Sequence, residues 1–203
     1  NGNSKVSEKT RQKILDVMEE TGYQPNIFAR GLGLNTMNTI GVMCADSSDL
    51  VLATAVYHVE QELHKYQYDV LLCCTGYESK EKEKYMNLLR SKRVDAVILV
   101  GSNFIEEDMK QNQYIIETAK EIPVMLVNAY LDAPNVFCAV CDDRAMMRQA
   151  TEKFLKNKRR VLYLYRSLSY SGRQKIQGVR DAFENVGTKQ EEGQILLING
   201  TIE

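Results

Sequence analysis

Between residues 39 and 198 the chain alternates two kinds of segment, and that alternation restricts it to one fold class. Short uninterrupted apolar runs ("TIGVMCA", "YDVLLCC", "VDAVILVG", "IPVMLVNA", "VFCAVC", "RVLYLYR" and "QILLI") are separated by longer stretches whose apolar residues recur at helical spacing. A strand that is apolar on both faces must be covered on both faces, and a helix between successive strands makes the sheet parallel. The spacing predicts helices over 50–67, 80–92, 106–121, 143–157 and 173–186, the second turning Tyr85, Leu88 and Leu89 inward. The fold class is therefore α/β, with doubly wound parallel sheets. No 20–50-residue sequence repeat and no low-complexity segment interrupts the pattern.

The first 38 residues follow a different rule. Ser7 is placed to cap a helix, Glu8 falls in its first turn, and Gly22 can stop it. Ile14, Leu15 and Met18 give that helix one apolar face. Pro25 closes it. A short helix is then expected over 27–34, yet it contains Gly31 and Gly33. Each interior glycine costs ~1 kcal/mol relative to alanine. A helix this short is marginal in water because nucleation is unfavourable. On the residues alone, 25–38 reads more readily as a flexible linker.

Composition removes several function classes. The chain is 44% hydrophobic and 26% charged, enough for one large domain or two small ones. Its net charge of −1 exerts no strong pull on nucleic acid or membrane. Residues 1–38 carry Lys5, Lys9, Arg11, Lys13 and Arg30 against Glu8, Asp16, Glu19 and Glu20, so the local charge also decides little. No apolar run approaches the ~18–20 residues that span a bilayer. The first residues are polar, without a signal-peptide pattern, and lack a leading Met, so the chain is expected to be a fragment.

Five cysteines, Cys44, Cys73, Cys74, Cys138 and Cys141, lie mostly within strand-like runs and are expected to be buried and structural. The Cys138–Cys141 spacing has neither the helix start of a redox pair nor the second pair of a zinc site. His58 and His64 stand six apart on one expected helix, which does not suit a metal pair. Dinucleotide, Walker and nucleophile-elbow motifs are absent. No cofactor, metal or enzymatic activity is expected.

Ligands of an open α/β sheet sit beyond the C-terminal ends of its strands. There the chain places Asp46-Ser47-Ser48, Gly101-Ser102-Asn103, Asn128, Asp142-Asp143 and the segment 167–175. Hydrogen-bonding groups of both charge signs suit a small polar ligand such as a sugar or nucleobase. Loops after strands are polar in any case, and Asp142-Asp143 can equally cap a helix.

Taken in order, "NGNSKVSEKTRQKILDVMEETGYQPNIFARGL", "NTIGVM", "KRVDAVIL", "IPVMLVN", "VCDD" and "SGRQKIQGV" resemble the lactose-repressor/galactose-repressor (LacI/GalR) family of transcription factors. The resemblance covers essentially the whole chain. It implies a periplasmic-binding-protein-like core of two subdomains, preceded by the end of a helix-turn-helix headpiece and a hinge helix. The implied boundaries are 1–24 for the headpiece, 25–38 for the hinge, 39–141 for the first core subdomain and 142–203 for an incomplete second. Two earlier headpiece helices would precede Asn1, and the rest of the second subdomain would follow Glu203.

By the same resemblance the protein is a cytoplasmic homodimer that binds operator DNA, usually as a repressor, and is modulated by a small-molecule effector. The effector would be a sugar, sugar phosphate or sugar acid. Leu32 matches the hinge leucine that wedges into the minor groove, Ala29 the small residue beside it, and Asn26 and Arg30 the polar groups that reach phosphate or groove. Such a hinge would become helical only on DNA, so its weak helicity couples ordering to binding. Ser47, Ser48, Val51, Leu52, Asn128, Asp142, Arg173 and Lys175 match the effector cleft. Lys175 stands where the family usually has arginine, Asn128 where many members have aspartate, and Met146-Met147 where a small pair is frequent. Val51 and Leu52 are aliphatic rather than aromatic, which weakens sugar stacking. The helices over 50–67 and 80–92 are the candidates for dimer contacts. A stand-alone periplasmic-type sugar-binding protein shares the core but needs no residues 4–38. An α/β enzyme would have to assemble its catalytic set from scattered loops.

Overall fold

The computed structural model describes residues 6–23, 33 and 36–198. The chain divides into two compact units, 1–37 and 38–203. In the first, α1 (Glu8–Thr21) starts where Ser7 accepts a hydrogen bond from the Thr10 amide and stops at Gly22, whose φ of 61° turns the chain out of the helix. The amide of Tyr23 returns to the Met18 carbonyl at 3.0 Å, satisfying a helix-end acceptor. The expected hinge helix, with Asn26, Ala29, Arg30 and Leu32, lies outside the described residues.

The second unit is built on five parallel strands, β1 (Thr39–Cys44), β2 (Asp69–Cys74), β3 (Ala96–Val100), β4 (Val124–Val127) and β5 (Val136–Ala139), in the order β2-β1-β3-β4-β5. Alternation along β1 divides the core. Ile40, Val42 and Cys44 face α2 (Leu50–Lys65) and pack with Leu52, Val56 and Val59. Met43 faces the other side, with Leu99 and Leu126, beneath Met86 and Leu89 of α3 (Ser79–Ser91) and Ile115 of α4 (Gln113–Ala119). Each fully buried aliphatic side chain of this kind contributes roughly 1.5–3 kcal/mol.

Further along, α5 (Asp143–Lys156) and α6 (Tyr170–Val186) accompany a two-stranded parallel sheet of β6 (Tyr163–Tyr165) and β7 (Ile195–Leu197). The two helices meet closely at Gly178, where an added Cβ would lie 2.3 Å from the Arg144 carbonyl oxygen. An ion pair between Arg144 Nε and Asp181 Oδ2, 2.5 Å, spans the same contact.

Three expectations change. The helix over 106–121 is replaced by 3₁₀ turns at Ser102–Phe104 and Met109–Asn112 followed by the short α4. Asn112 bends the chain there, its side chain bonding both the amide and the carbonyl of Glu106. In α3, Leu88 is exposed, and the inward stripe is Lys82, Met86 and Leu89. The cysteines are not uniformly buried: Cys44 and Cys73 are, Cys138 is half-buried on the edge strand β5, and Cys74 and Cys141 are exposed.

Candidate functional site: the crevice at the strand ends

Strand order reverses between β1 and β3, so the loops leaving these neighbours diverge to opposite faces and open a crevice at the C-terminal ends. On one side Asp46 accepts hydrogen bonds from the Ser48 amide, 2.8 Å, and hydroxyl, 2.7 Å. These bonds hold the Asp46 carboxyl below its ordinary range. Asp49 then caps α2 by accepting from the amides of Val51 and Leu52. Val51 is 77% exposed, whereas Leu52 packs back onto the Ile40–Val42–Cys44 cluster. Ser47 and Ser48 are exposed.

After β3 the chain turns at Gly101, φ 118°, where a Cβ would meet the Asn103 side chain at 2.9 Å and Leu52 at 3.1 Å. This turn delivers Ser102 and Asn103. Among the described residues, the buried Asn103 Nδ2 has no hydrogen-bond partner. A buried donor left unpaired is costly, so this amide is suited to an acceptor atom entering the crevice. After β4, Asn128 adopts φ 63°, a left-handed conformation that asparagine tolerates well. Its amide donates to the Ala139 carbonyl at 2.8 Å.

The 102–107 segment meets the start of α6. Ser102 Oγ lies 2.9 Å from Ser169 Oγ, and Ser169 caps α6 by accepting from the Gly172 amide. Arg173 and Lys175 therefore stand in the first turns of α6, which begins three residues before the expected 173. Arg173 pairs with Glu107 at 3.1 Å and also donates to the Leu168 carbonyl. Lys175 reaches Asp143 at 3.7 Å, and the same carboxylate accepts from Ser171 Oγ at 2.5 Å. Asp142 caps α5 on the Ala145 amide, so the capping alternative describes its present contact. Ser47, Ser48 and Val51 make no hydrogen bond to the 167–175 segment among the described residues.

Three participants escaped the sequence reading: Lys82, Glu106 and Glu107. Lys82 is 2% exposed and pairs with Glu106 at 2.9 Å, while its ammonium also donates to the Asn103 carbonyl. It therefore holds the loop that carries Ser102 and Asn103. Its signal was present, because it sits four residues before Met86 and seven before Leu89, in phase with the apolar stripe. In the first unit a 470 Å³ groove runs along α1, lined by Ile14, Val17, Met18 and Tyr23. A 420 Å³ groove lies between α3 and the 110–117 segment. No group of three or more potential metal ligands occurs among the described residues. Among them, no helix is long and apolar enough to cross a membrane.

Comparison with known proteins places this geometry. The model of a family described as periplasmic binding proteins and sugar binding domain of LacI family matches residues 37–203. The model of bacterial regulatory proteins, lacI family, matches residues 1–26. An HTH-type transcriptional regulator of Lachnoclostridium phytofermentans is 58% identical over 183 residues, covering 90% of this chain and 55% of that protein. The regulator DegA of Bacillus subtilis is 25% identical over 205 residues, covering 100% of this chain and 60% of that one. Among solved structures, a Lac repressor dimer bound to operator and the anti-inducer ONPF superposes with a TM-score of 0.78 at 18% identity, covering 92% of this chain and 56% of that chain. The transcription regulator CcpA of Lactococcus lactis gives 0.67 at 20% identity, covering 80% and 59%; both likenesses establish the fold. The chain spans between 55% and 60% of the length of these relatives. By matches that cover both its units, the chain belongs to the LacI family of bacterial regulatory proteins.

Proposed function

We propose that this chain is the central part of a cytoplasmic, homodimeric, operator-binding transcriptional regulator, a repressor in its usual mode. A small sugar-like effector would bind at the β1/β3 crevice and change its affinity for DNA. The carrying observation is the crevice itself: Asp46-Ser47-Ser48 and Gly101-Ser102-Asn103 flank the strand-order reversal, and Ser102 touches the α6 start. Asp142, Asn128, Val51 and Leu52 complete its rim and backing. An effector that draws the 102–107 segment and α6 together would favour one closure of the unit. The coupling to DNA equals its differential affinity for the two closures.

The paired charges refine the effector class. Arg173 already faces Glu107 and Lys175 faces Asp143, so an anionic group would have to displace a carboxylate. A neutral polyhydroxyl ligand exchanging hydrogen bonds with Ser102, Asn103 and Asp46 meets no such cost. Neutral sugars are therefore expected to raise Tm in a thermal-shift panel and their phosphates to do so less. The opposite ranking would reverse this assignment.

For DNA, the hinge 25–38 is proposed to carry Leu32 as the minor-groove wedge, flanked by Ala29 and supported by Asn26 and Arg30. The apolar face of α1, with Ile14 50% exposed, is the surface that the preceding headpiece helices would cover. Tyr57 on α2 and Tyr66 at its C-terminal cap make this helix the favoured dimer element, since both are exposed while the outer face of α3 is highly charged. In vitro selection of DNA sites with the full-length protein tests the reading. A palindromic site with a deformable centre, losing affinity in Leu32→Ala, is expected. No enriched site from a folded headpiece would favour a stand-alone sugar-binding protein, a reading that leaves the regulatory-family match over residues 1–26 without a purpose.

A further inference from the structure

Cys44 ends β1, Cys74 ends β2, and the parallel register sets them opposite one another. Their sulfurs are 3.9 Å apart. Neighbouring strands run roughly 4.7–4.9 Å apart, within the roughly 4.4–6.8 Å Cα separation that a disulfide bridges. The sulfurs meet once the side chains turn and the two strand ends draw slightly together. Both residues have the same phase in the pleat, and Cys44 packs with Ile40, Val42 and Val100 on the α2 side. Cys73, one residue earlier, points to the other face among Met86 and Leu89. Exposure divides the labour, because Cys74 is open to solvent and Cys44 is enclosed. Burial, reinforced by Cys74 beside it, pushes the Cys44 thiol up to about 12, so alone it stays protonated and unreactive.

We propose that Cys44 and Cys74 are an oxidisable dithiol that closes to an intrachain disulfide at the crevice end of the sheet, with a small hydroperoxide as oxidant. The Cys74 thiolate attacks the peroxide: a sulfur–oxygen bond forms, the oxygen–oxygen bond breaks, and the leaving alkoxide takes a proton and departs as an alcohol, or as water when the oxidant is hydrogen peroxide. Cys74 is then a sulfenic acid. Cys44 sulfur attacks it, the sulfur–sulfur bond forms, and the hydroxide leaves with the Cys44 proton as water. Two thiols lose two electrons in total, and the peroxide gains them.

The position gives the bond a consequence, which rests on the effector-site reading above. The Cys44 carbonyl accepts from the Thr75 amide at 2.9 Å, and the Ala45 carbonyl accepts from Gly76 at 2.9 Å. Drawing the sulfurs together acts on both of these strand ends, two residues before Asp46. Oxidation would thereby reset the β1 side of the crevice.

The chain treated with hydrogen peroxide should lose about 2 Da, two hydrogens, with two of its five thiols blocked. Dithiothreitol should restore both. Non-reducing peptide mapping of Cys73→Ala should join the Cys44 peptide to the Cys74 peptide, and Cys74→Ala should abolish the mass loss. If Cys73→Ala does not fold by circular dichroism, fragmentation of the linked wild-type peptide assigns the bond directly. Oxygen addition at Cys74 without a bond, a Cys73–Cys74 or Cys138–Cys141 bond instead, or a disulfide joining two chains would each overturn the inference. The mass is read without ligand. A chain that forms the bond yet binds no sugar keeps this inference and loses the effector reading.

Discussion

Replacing Lys82 with methionine tests whether a buried charge holds the crevice loop. Lys82 is 2% exposed, and its ammonium lies 2.9 Å from Glu106, donates to the Asn103 carbonyl, and stands 5.9 Å from the centre of the Phe104 ring. Methionine keeps an unbranched apolar stem, so no large cavity opens and the loss is mainly polar. A hydrogen bond to a charged group is worth roughly 1.5–3 kcal/mol, and a buried carbonyl left without its donor costs roughly 1–3. Against this, the folded protein no longer dehydrates an ammonium, a penalty of several kcal/mol in a closed interior. Glu106 keeps 34% side-chain exposure, so water rehydrates it and its unpaired cost is discounted. The balance is a loss of about 1–3 kcal/mol. Urea unfolding, with a slope of about 1–3 kcal/mol/M, should show the midpoint falling by about 1 M. Adding Glu106→Gln to Lys82→Met removes the stranded carboxylate, so the double variant should be more stable than the two separate losses predict. A Lys82→Met protein as stable as the parent, or strictly additive losses, would refute the claim that this pair anchors the loop.

Acid should weaken the α5–α6 contact. The hydrogen bond from Arg144, followed by that from Gln177, holds the Asp181 carboxyl below the ordinary aspartate range. A depressed folded-state value means the contribution is present above the unfolded value and is lost as pH falls through the folded one. Asp181→Asn should therefore flatten the fall in unfolding midpoint below about pH 4; an unchanged slope would remove Asp181 from the account. Gly178→Ala separates packing from propensity. Helix preference alone predicts a gain of about 1 kcal/mol, whereas the 2.3 Å approach to the Arg144 carbonyl predicts a loss of about 1–3 kcal/mol; the sign of the Tm change decides between them. Asp49→Ala removes the double cap on Val51 and Leu52 and should cost about 1 kcal/mol, read by chemical denaturation, with Asp49→Asn recovering most of it.

Much of the core was legible because it obeys local periodicity. Runs such as "TIGVMC" and "AVILV" are apolar on both faces, and only a covered parallel strand satisfies them. The start of α1 at Ser7 and its stop at Gly22 follow from hydrogen-bonding chemistry and from the φ a glycine accepts, both local properties. The strand-end loops were legible for the same reason, since knowing where β1 and β3 stop locates Asp46 and Ser102. The helix expected over 106–121 was misjudged because helical spacing does not record that Asn112 bonds the Glu106 backbone.

The sequence by itself thus determined the α/β alternation, the helix caps and the segments that meet at the crevice. Tertiary structure alone decided how their charges are spent. Lys82 finds Glu106 across 24 residues, Arg173 finds Glu107, and Lys175 finds Asp143. None of these pairs has a period. Each depends on the distance between backbone elements after packing, and that distance determines whether a cation is free for a ligand or already matched by a carboxylate.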